Sequence, residues 1–156
     1  MKKKLLCCLS AVLLFSVSGC GKTEEQASAP PEEKTCYILS VDPEARTAVV
    51  DEMEVLSLED TERLEELGLD PDKDLPSGFF LYNEEETPET VEFSEDALFT
   101  YLDQEKDFAP ADTDLASFAE LCATTGETCT GVMQSVPHTL TFENGVVVKV
   151  TEQYIP

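Results

Sequence analysis

Beyond residue 35 the chain alternates short apolar runs with polar breaks. Tyr37-Ile38-Leu39-Ser40-Val41 is β-type in composition, and Asp42-Pro43-Glu44-Ala45-Arg46 is a bend for which Pro43 presets the backbone. Thr47 to Val50 returns towards Met53, so a hairpin is predicted. Ser57-Leu58-Glu59-Asp60 reads as the start of a helix, with Ser57 as its cap. Leu64 and Leu67 lie on its core side, and Gly68 ends it. Asp70 to Ser77 reads as a loop with two prolines, Gly78 to Tyr82 as a strand, and Glu84 to Glu89 as an acidic loop. Thr90 to Phe93 and Ala97 to Leu102 read as strands flanking a turn at Ser94-Glu95-Asp96. Asp114 to Cys122 carries Leu115, Phe118, Ala119 and Cys122 on one stripe and predicts a second helix. A final hairpin, Thr139 to Phe142 and Val146 to Tyr154, turns at Glu143-Asn144-Gly145, because Asn-Gly suits a type I′ turn. Alternation along its second strand puts Val146, Val148 and Val150 on the inward face. The predicted fold is α+β: a small, mostly antiparallel curved sheet or partial barrel of six or seven short strands with two helices.

The first twenty residues follow another pattern. Lys2, Lys3 and Lys4 precede an almost wholly apolar run from Leu5 to Val17, too short to span a bilayer permanently, as in a secretory signal. The run ends in Val17-Ser18-Gly19-Cys20, which resembles the lipobox of bacterial lipoproteins. The resemblance implies a diacylglyceryl group on the Cys20 sulfur, cleavage before Cys20 and, often, a further acyl chain such as palmitate on its new amine. Two or three such chains would anchor a protein stably at roughly 0.8 kcal/mol per buried methylene. Residues 1–19 are then the signal peptide. Residues 20–35, rich in small, charged and Pro residues, are a flexible tether, and residues 36–156 form a single domain. Within that domain, Tyr37 to Asp42, Gly78 to Asn83 and Val150 to Pro156 resemble segments of uncharacterised secreted proteins and lipoproteins of Gram-positive bacteria. That similarity implies no activity.

Composition narrows the choice of partner. Ten basic residues face 33 acidic ones over 156 residues, a formal charge of −23. Removal of residues 1–19 takes away three lysines and leaves −26. Phosphate binding needs clustered Lys and Arg, so nucleic acid is not an expected partner. The surplus of carboxylates reads as a solvated face that keeps the domain off the membrane that tethers it.

Candidate chemistry is sparse. Cys7 and Cys8 leave with the signal and Cys20 is the lipidation site, so Cys36, Cys122 and Cys129 remain. Cys122 and Cys129 are the disulfide candidates, and closing so short a loop would contribute about 2–3 kcal/mol. The alternative is that all three thiols are small buried hydrophobes. His138 is the single histidine, and nothing in its sequence neighbourhood places it beside a Cys. Asp70, Asp72 and Asp74 begin like a calcium loop, but Leu75 stands where the sharp-turn Gly belongs and Leu81 where the bidentate Glu belongs. Glu84-Glu85-Glu86, Glu89 and Glu92 form an acidic run in a chain without Trp, which suits a solvated surface better than a glycosidase carboxylate pair. No Gly-rich phosphate loop or nucleophile elbow is present. Tyr82, Tyr101 and Tyr154 read as core or edge residues with the hydroxyl at the rim.

The expected protein is therefore a membrane-anchored lipoprotein on the outer face of the cell membrane. It acts as a binding or accessory domain rather than an enzyme, needs no cofactor, and has an affinity for a cationic peptide or protein surface. The alternatives are a cell-envelope enzyme using His138 with a Cys or carboxylate, and a divalent-cation-binding lipoprotein.

Overall fold

In the computed structural model, which describes residues 30–123 and 135–155, the first strand, β1 (Glu32–Asp42), pairs with different partners along its length. Its second half pairs antiparallel with β2 (Thr47–Glu52), and its first half with β7 (His138–Glu143). β7 pairs with β8 (Val146–Glu152), β8 runs parallel to β5 (Glu89–Asp103), and the start of β5 returns to pair antiparallel with β2. The ring of pairings is closed. Numbered one to five along the chain, the barrel strands β1, β2, β5, β7 and β8 follow one another as 1-2-3-5-4-1. Helix α3 (Leu115–Ala123) lies between the third and fourth. This is the connectivity of an OB-type Greek-key barrel. The fold is α+β, as the sequence predicts, and closure leaves these strands no free edge over the paired stretches.

Two additions decorate the barrel. β6 (Ala109–Thr113) pairs with the far end of β5. Between β2 and β5 the chain inserts a two-stranded ribbon of β3 (Glu54–Ser57) and β4 (Phe79–Tyr82), with helices α1 (Thr61–Leu67) and α2 (Pro71–Asp74). The insert buries Leu56, Leu64 and Leu75 as a second small core. Arg63 holds it together at the surface, bonding Glu54 through Nε at 3.0 Å and Nη2 at 2.6 Å and lying over the Tyr82 ring.

Inward residues of all five barrel strands share one core with α3. Cys36, Ile38, Val50, Phe93, Phe99 and Leu140 are among those buried with Phe118. Phe93 meets Phe99 edge-on with centroids 5.1 Å apart, and Phe118 lies 5.0 Å from Phe99. Such ring pairs contribute about 0.5–1.5 kcal/mol beyond the area they bury. Leu115, Phe118, Ala119 and Cys122 form the buried stripe of α3, as its periodicity predicts.

Several local expectations are corrected. Among the described residues there are eight strands and three α-helices rather than six or seven strands and two helices. Order begins before Cys36: Glu32 to Thr35, assigned to the tether, pair with Phe142 to Thr139. Ser57 does not cap α1. It ends β3 and gives its amide and hydroxyl to Asp60, the residue at the cap position. Gly68 does end the helix, at φ 69°, where a residue without a Cβ is unstrained. Asp70 to Ser77 contains the single-turn α2, started by Pro71 and capped by the Asp70 carboxylate.

Ser94-Glu95-Asp96 is not a turn between strands. β5 continues through it, and its register against β8 shifts between Phe93 and Leu98, so the turn-forming residues bulge where the strand bends from one neighbour to the next. Arg46, at φ 54°, clamps this corner: its carbonyl accepts from the Phe93 amide and its guanidinium bonds the Ser94 carbonyl. In the last hairpin, Asn144 and Gly145 sit at φ 53° and 81°, as a type I′ turn requires. Alternation then fails one residue later. Thr141 faces Lys149 while Phe142 faces Val147, so Val148 is an extra residue in β8. The bulge turns Val147 and Val150 into the core and leaves Val146 and Val148 half-buried, against the predicted face.

Candidate functional site: an aromatic groove beside the barrel

The register places the chemical candidates in an order that sequence spacing did not show. His138 faces Cys36 across β1 and Glu152 across β8. His138 and Cys36 are fully buried. The Nδ1 of His138 lies 2.9 Å from the Val136 carbonyl, which only accepts, so Nδ1 carries the proton. Nε2 is buried with no hydrogen-bond partner among the described residues. Burial holds the imidazole neutral, lowering its pKa from 6.5 to about 4. Burial likewise pushes the Cys36 and Cys122 thiols up to about 12, with carboxylates adding to the effect: Glu52 on Cys36 and Glu152 on Cys122. Among the described residues no hydrogen bond joins His138 Nε2 to a thiol or to Glu152. The row has the residue types of a nucleophile–base–acid set, but burial keeps the Cys36 thiol protonated, and the thiolate is the nucleophile that chemistry needs. Among the described residues Cys36 and Cys122 form no disulfide. Cys129, the expected partner of Cys122, and Cys20 both lie outside the described residues.

The acidic candidates are occupied locally. Asp70 Oδ1 accepts from the Asp72 amide, Asp70 Oδ2 pairs with Lys73, and Asp74 Oδ2 accepts from the Asp70 amide at 2.7 Å. Tyr82 donates to Glu84, and Lys34 bridges Glu52 at 3.0 Å and Glu89 at 3.4 Å. Asp51 is buried and pins the following loop: its carboxylate accepts 2.8 Å bonds from Asn83 Nδ2 and the Thr87 amide. Among the described residues no group of three or more His, Cys, Asp or Glu could hold a metal ion, and no helix is long and apolar enough to cross a membrane.

In an OB-type barrel, oligonucleotides and sugars are taken by the face of the second and third strands and by the loops joining strands one to two and four to five. Here those loops are the short turn after Asp42 and the two-residue Asn144-Gly145 turn. The corresponding paired strands expose Glu89, Thr90 and Glu92. Neither reach nor charge suits a polyanion.

The surface with binding character lies elsewhere. A groove of about 340 Å³ runs between β4, the turn after β5, and the end of β8. Leu81, Leu102, Phe108, Pro137, Tyr154 and Ile155 form its apolar walls. Phe108 and Tyr154 stand 43% and 58% exposed, with ring centroids 5.5 Å apart. The turn that presents Phe108 is strained. Asp107 and Phe108 sit at φ 57° and 59°, and a bulky side chain at positive φ is a true outlier, costing about 1–2 kcal/mol. The Phe108 amide closes the turn on the Asp103 carbonyl at 2.9 Å, and the Asp103 carboxylate accepts from the Glu105 amide and from Lys106. Strain of this kind persists at sites where the side chain has a task.

Glu152 lines the same groove. Its Oε2 accepts from the Leu102 amide at 2.8 Å, and burial raises its pKa. Gln153 holds the wall, with its amide on the Pro137 carbonyl at 2.9 Å and Nε2 on Thr139 Oγ1 at 2.6 Å. Sequence reading placed Tyr154 at a rim but passed over Phe108 and Leu102. The available signal was an isolated Phe in an otherwise polar turn. No family model, curated protein or solved structure matches this chain. Strand connectivity thus defines the class of barrel, and the groove is the surface of this chain with binding character.

Proposed function

We propose that this protein is a lipid-anchored, extracytoplasmic binding or accessory domain and not an enzyme. The observation that carries the binding half is the groove: two exposed aromatic rings, one held out on strained backbone, beside a half-buried carboxylate. The anchoring half is supported by Val17-Ser18-Gly19-Cys20 at the end of the apolar run. In this reading Cys20 carries the lipid, residues up to about 31 tether the barrel, and the acidic surface keeps it clear of anionic headgroups. A clickable palmitate analogue should label the chain in cells. Cys20→Ala should abolish the label and leave the precursor uncleaved or aberrantly processed. Persistent labelling of that variant would refute the anchor.

A second reading, an envelope enzyme built on His138, has one observation in its favour, the register that sets Cys36 opposite the imidazole. It requires a thiol that ionises near neutral pH. Slow alkylation of native Cys36 at pH 7 would count against it, and rapid alkylation abolished by His138→Phe would establish it.

A further inference from the structure

The geometry points to a specific occupant for this groove: a short peptide segment in which an apolar side chain packs on Phe108 and Tyr154 while a neighbouring Lys or Arg reaches Glu152. The inference rests on the binding reading above and names its partner class.

Three observations carry it. First, the walls are apolar and aromatic, so an apolar side chain packs on the two rings, while the stem of a neighbouring Lys or Arg can lie along the wall and carry its cationic head to the carboxylate. Second, Glu152 makes no ion pair among the described residues. Its one described bond, from the Leu102 amide, uses a single oxygen, Oε2. A half-buried carboxylate without a countercharge is costly, and burial already raises its pKa. A guanidinium or ammonium would supply the missing partner. Third, the field over the groove is negative. The adjoining turn carries Asp103, Glu105 and Asp107 against Lys106, which is itself paired to Asp103 at 2.7 Å. The whole chain carries −23, so cationic segments are drawn in and anionic ones repelled. Nucleic acid and anionic lipid are excluded by the same field.

The strained turn gives the test its control. Gly is unstrained at φ 59°, so Phe108→Gly removes the ring and keeps the turn. The full chain, solubilised in detergent, would be titrated by fluorescence anisotropy against labelled Ala-Leu-Lys-Phe-Ala, Ala-Leu-Gln-Phe-Ala and Ala-Leu-Glu-Phe-Ala amides. Salt would be about 0.15 M, where charges are screened beyond about 8 Å. The Lys peptide should bind and the Glu peptide should not. Phe108→Gly should weaken the Lys peptide about tenfold or more while the melting temperature holds or rises. Glu152→Gln, which can still accept from the Leu102 amide, should weaken the Lys peptide about tenfold and bring its affinity to that of the Gln peptide. Glu85→Gln on the acidic loop should change neither. Equal binding of the Lys and Gln peptides by the wild-type chain would overturn the inference, as would affinity indifferent to Glu152→Gln or lost equally in Glu85→Gln. These outcomes concern the groove alone. Failure of the lipid-anchor reading is seen separately, in the Cys20→Ala labelling.

Discussion

Between pH 6.5 and 5, acid should weaken this fold chiefly through one side chain, His138. His138 is buried among barrel strands and α3, with the Phe118 ring edge-on at 6.0 Å, Cys36 opposite on one side and Glu152 on the other. Its Nδ1 proton is spent on Val136, so protonation would place a new N–H at Nε2, which has no partner among the described residues. The folded pKa, about 4, lies below the unfolded value near 6.5. For a base shifted down, the stabilising contribution is fully present above pH 6.5, declines as pH falls, and is gone below about 4. At 1.36 kcal/mol per pH unit, that interval integrates to about 3 kcal/mol, of which about 2 kcal/mol is already lost at pH 5. Glu152 opposes the trend, since burial raises its pKa and protonation relieves a buried charge. Carboxylates held low by hydrogen bonds, among them Glu54 on Arg63 and Asp114 on the Ser117 amide, lose their contribution as pH falls from their ordinary values, 4.5 and 3.8, downward, so they act beneath pH 5. The histidine therefore has a window of its own between pH 6.5 and 5. His138→Phe keeps a ring of similar volume and removes the titration. Denaturant unfolding of both chains from pH 7.5 to 4.5 should show the wild type losing about 2 kcal/mol relative to the variant by pH 5. Parallel curves would show that the imidazole finds a proton-accepting partner on charging, and the reasoning would fail.

Further outcomes follow from the packing. Phe118→Ala removes the ring that joins α3 to Phe99 and should cost about 3–5 kcal/mol, read as a lower denaturant midpoint with an unchanged slope. Asp51→Ala removes the buried carboxylate that accepts from Asn83 Nδ2 and the Thr87 amide and should cost about 1–3 kcal/mol, as loss of hydrogen bonds to a charged group does, with faster amide exchange confined to residues 83–87. Cys36 and Cys122 should resist iodoacetamide at pH 8 in the native state and react on unfolding, because burial keeps both thiols protonated. Calcium at matched ionic strength should stabilise the chain no more than sodium. A calcium-specific rise in melting temperature lost in Asp72→Asn would restore the cation-site reading of Asp70, Asp72 and Asp74.

What the sequence determines by itself is local. The Asn144-Gly145 turn, the glycine stop at Gly68, the buried stripe of α3 and the hairpin around Asp42–Arg46 each depend on residues within a few positions of one another. Backbone preference or helical period is enough to place them. The α+β class and a curved, barrel-like sheet follow from their sum. Closure does not, because it depends on β5 meeting β2 at one end and β8 further along, partners separated by dozens of residues. The same long-range pairing turns Ser94-Glu95-Asp96 from a turn into a bulge, since a strand shared by two neighbours must bend between them. One extra residue at Val148 turns Val147 inward in place of Val146 and Val148, while Val150 stays inward as alternation predicts. The groove is the extreme case. Leu81, Leu102, Phe108, Pro137 and Tyr154 come from separate segments, and each is unremarkable where it stands in the chain. Only barrel closure, the inserted ribbon and a strained turn bring them to one surface with Glu152 among them.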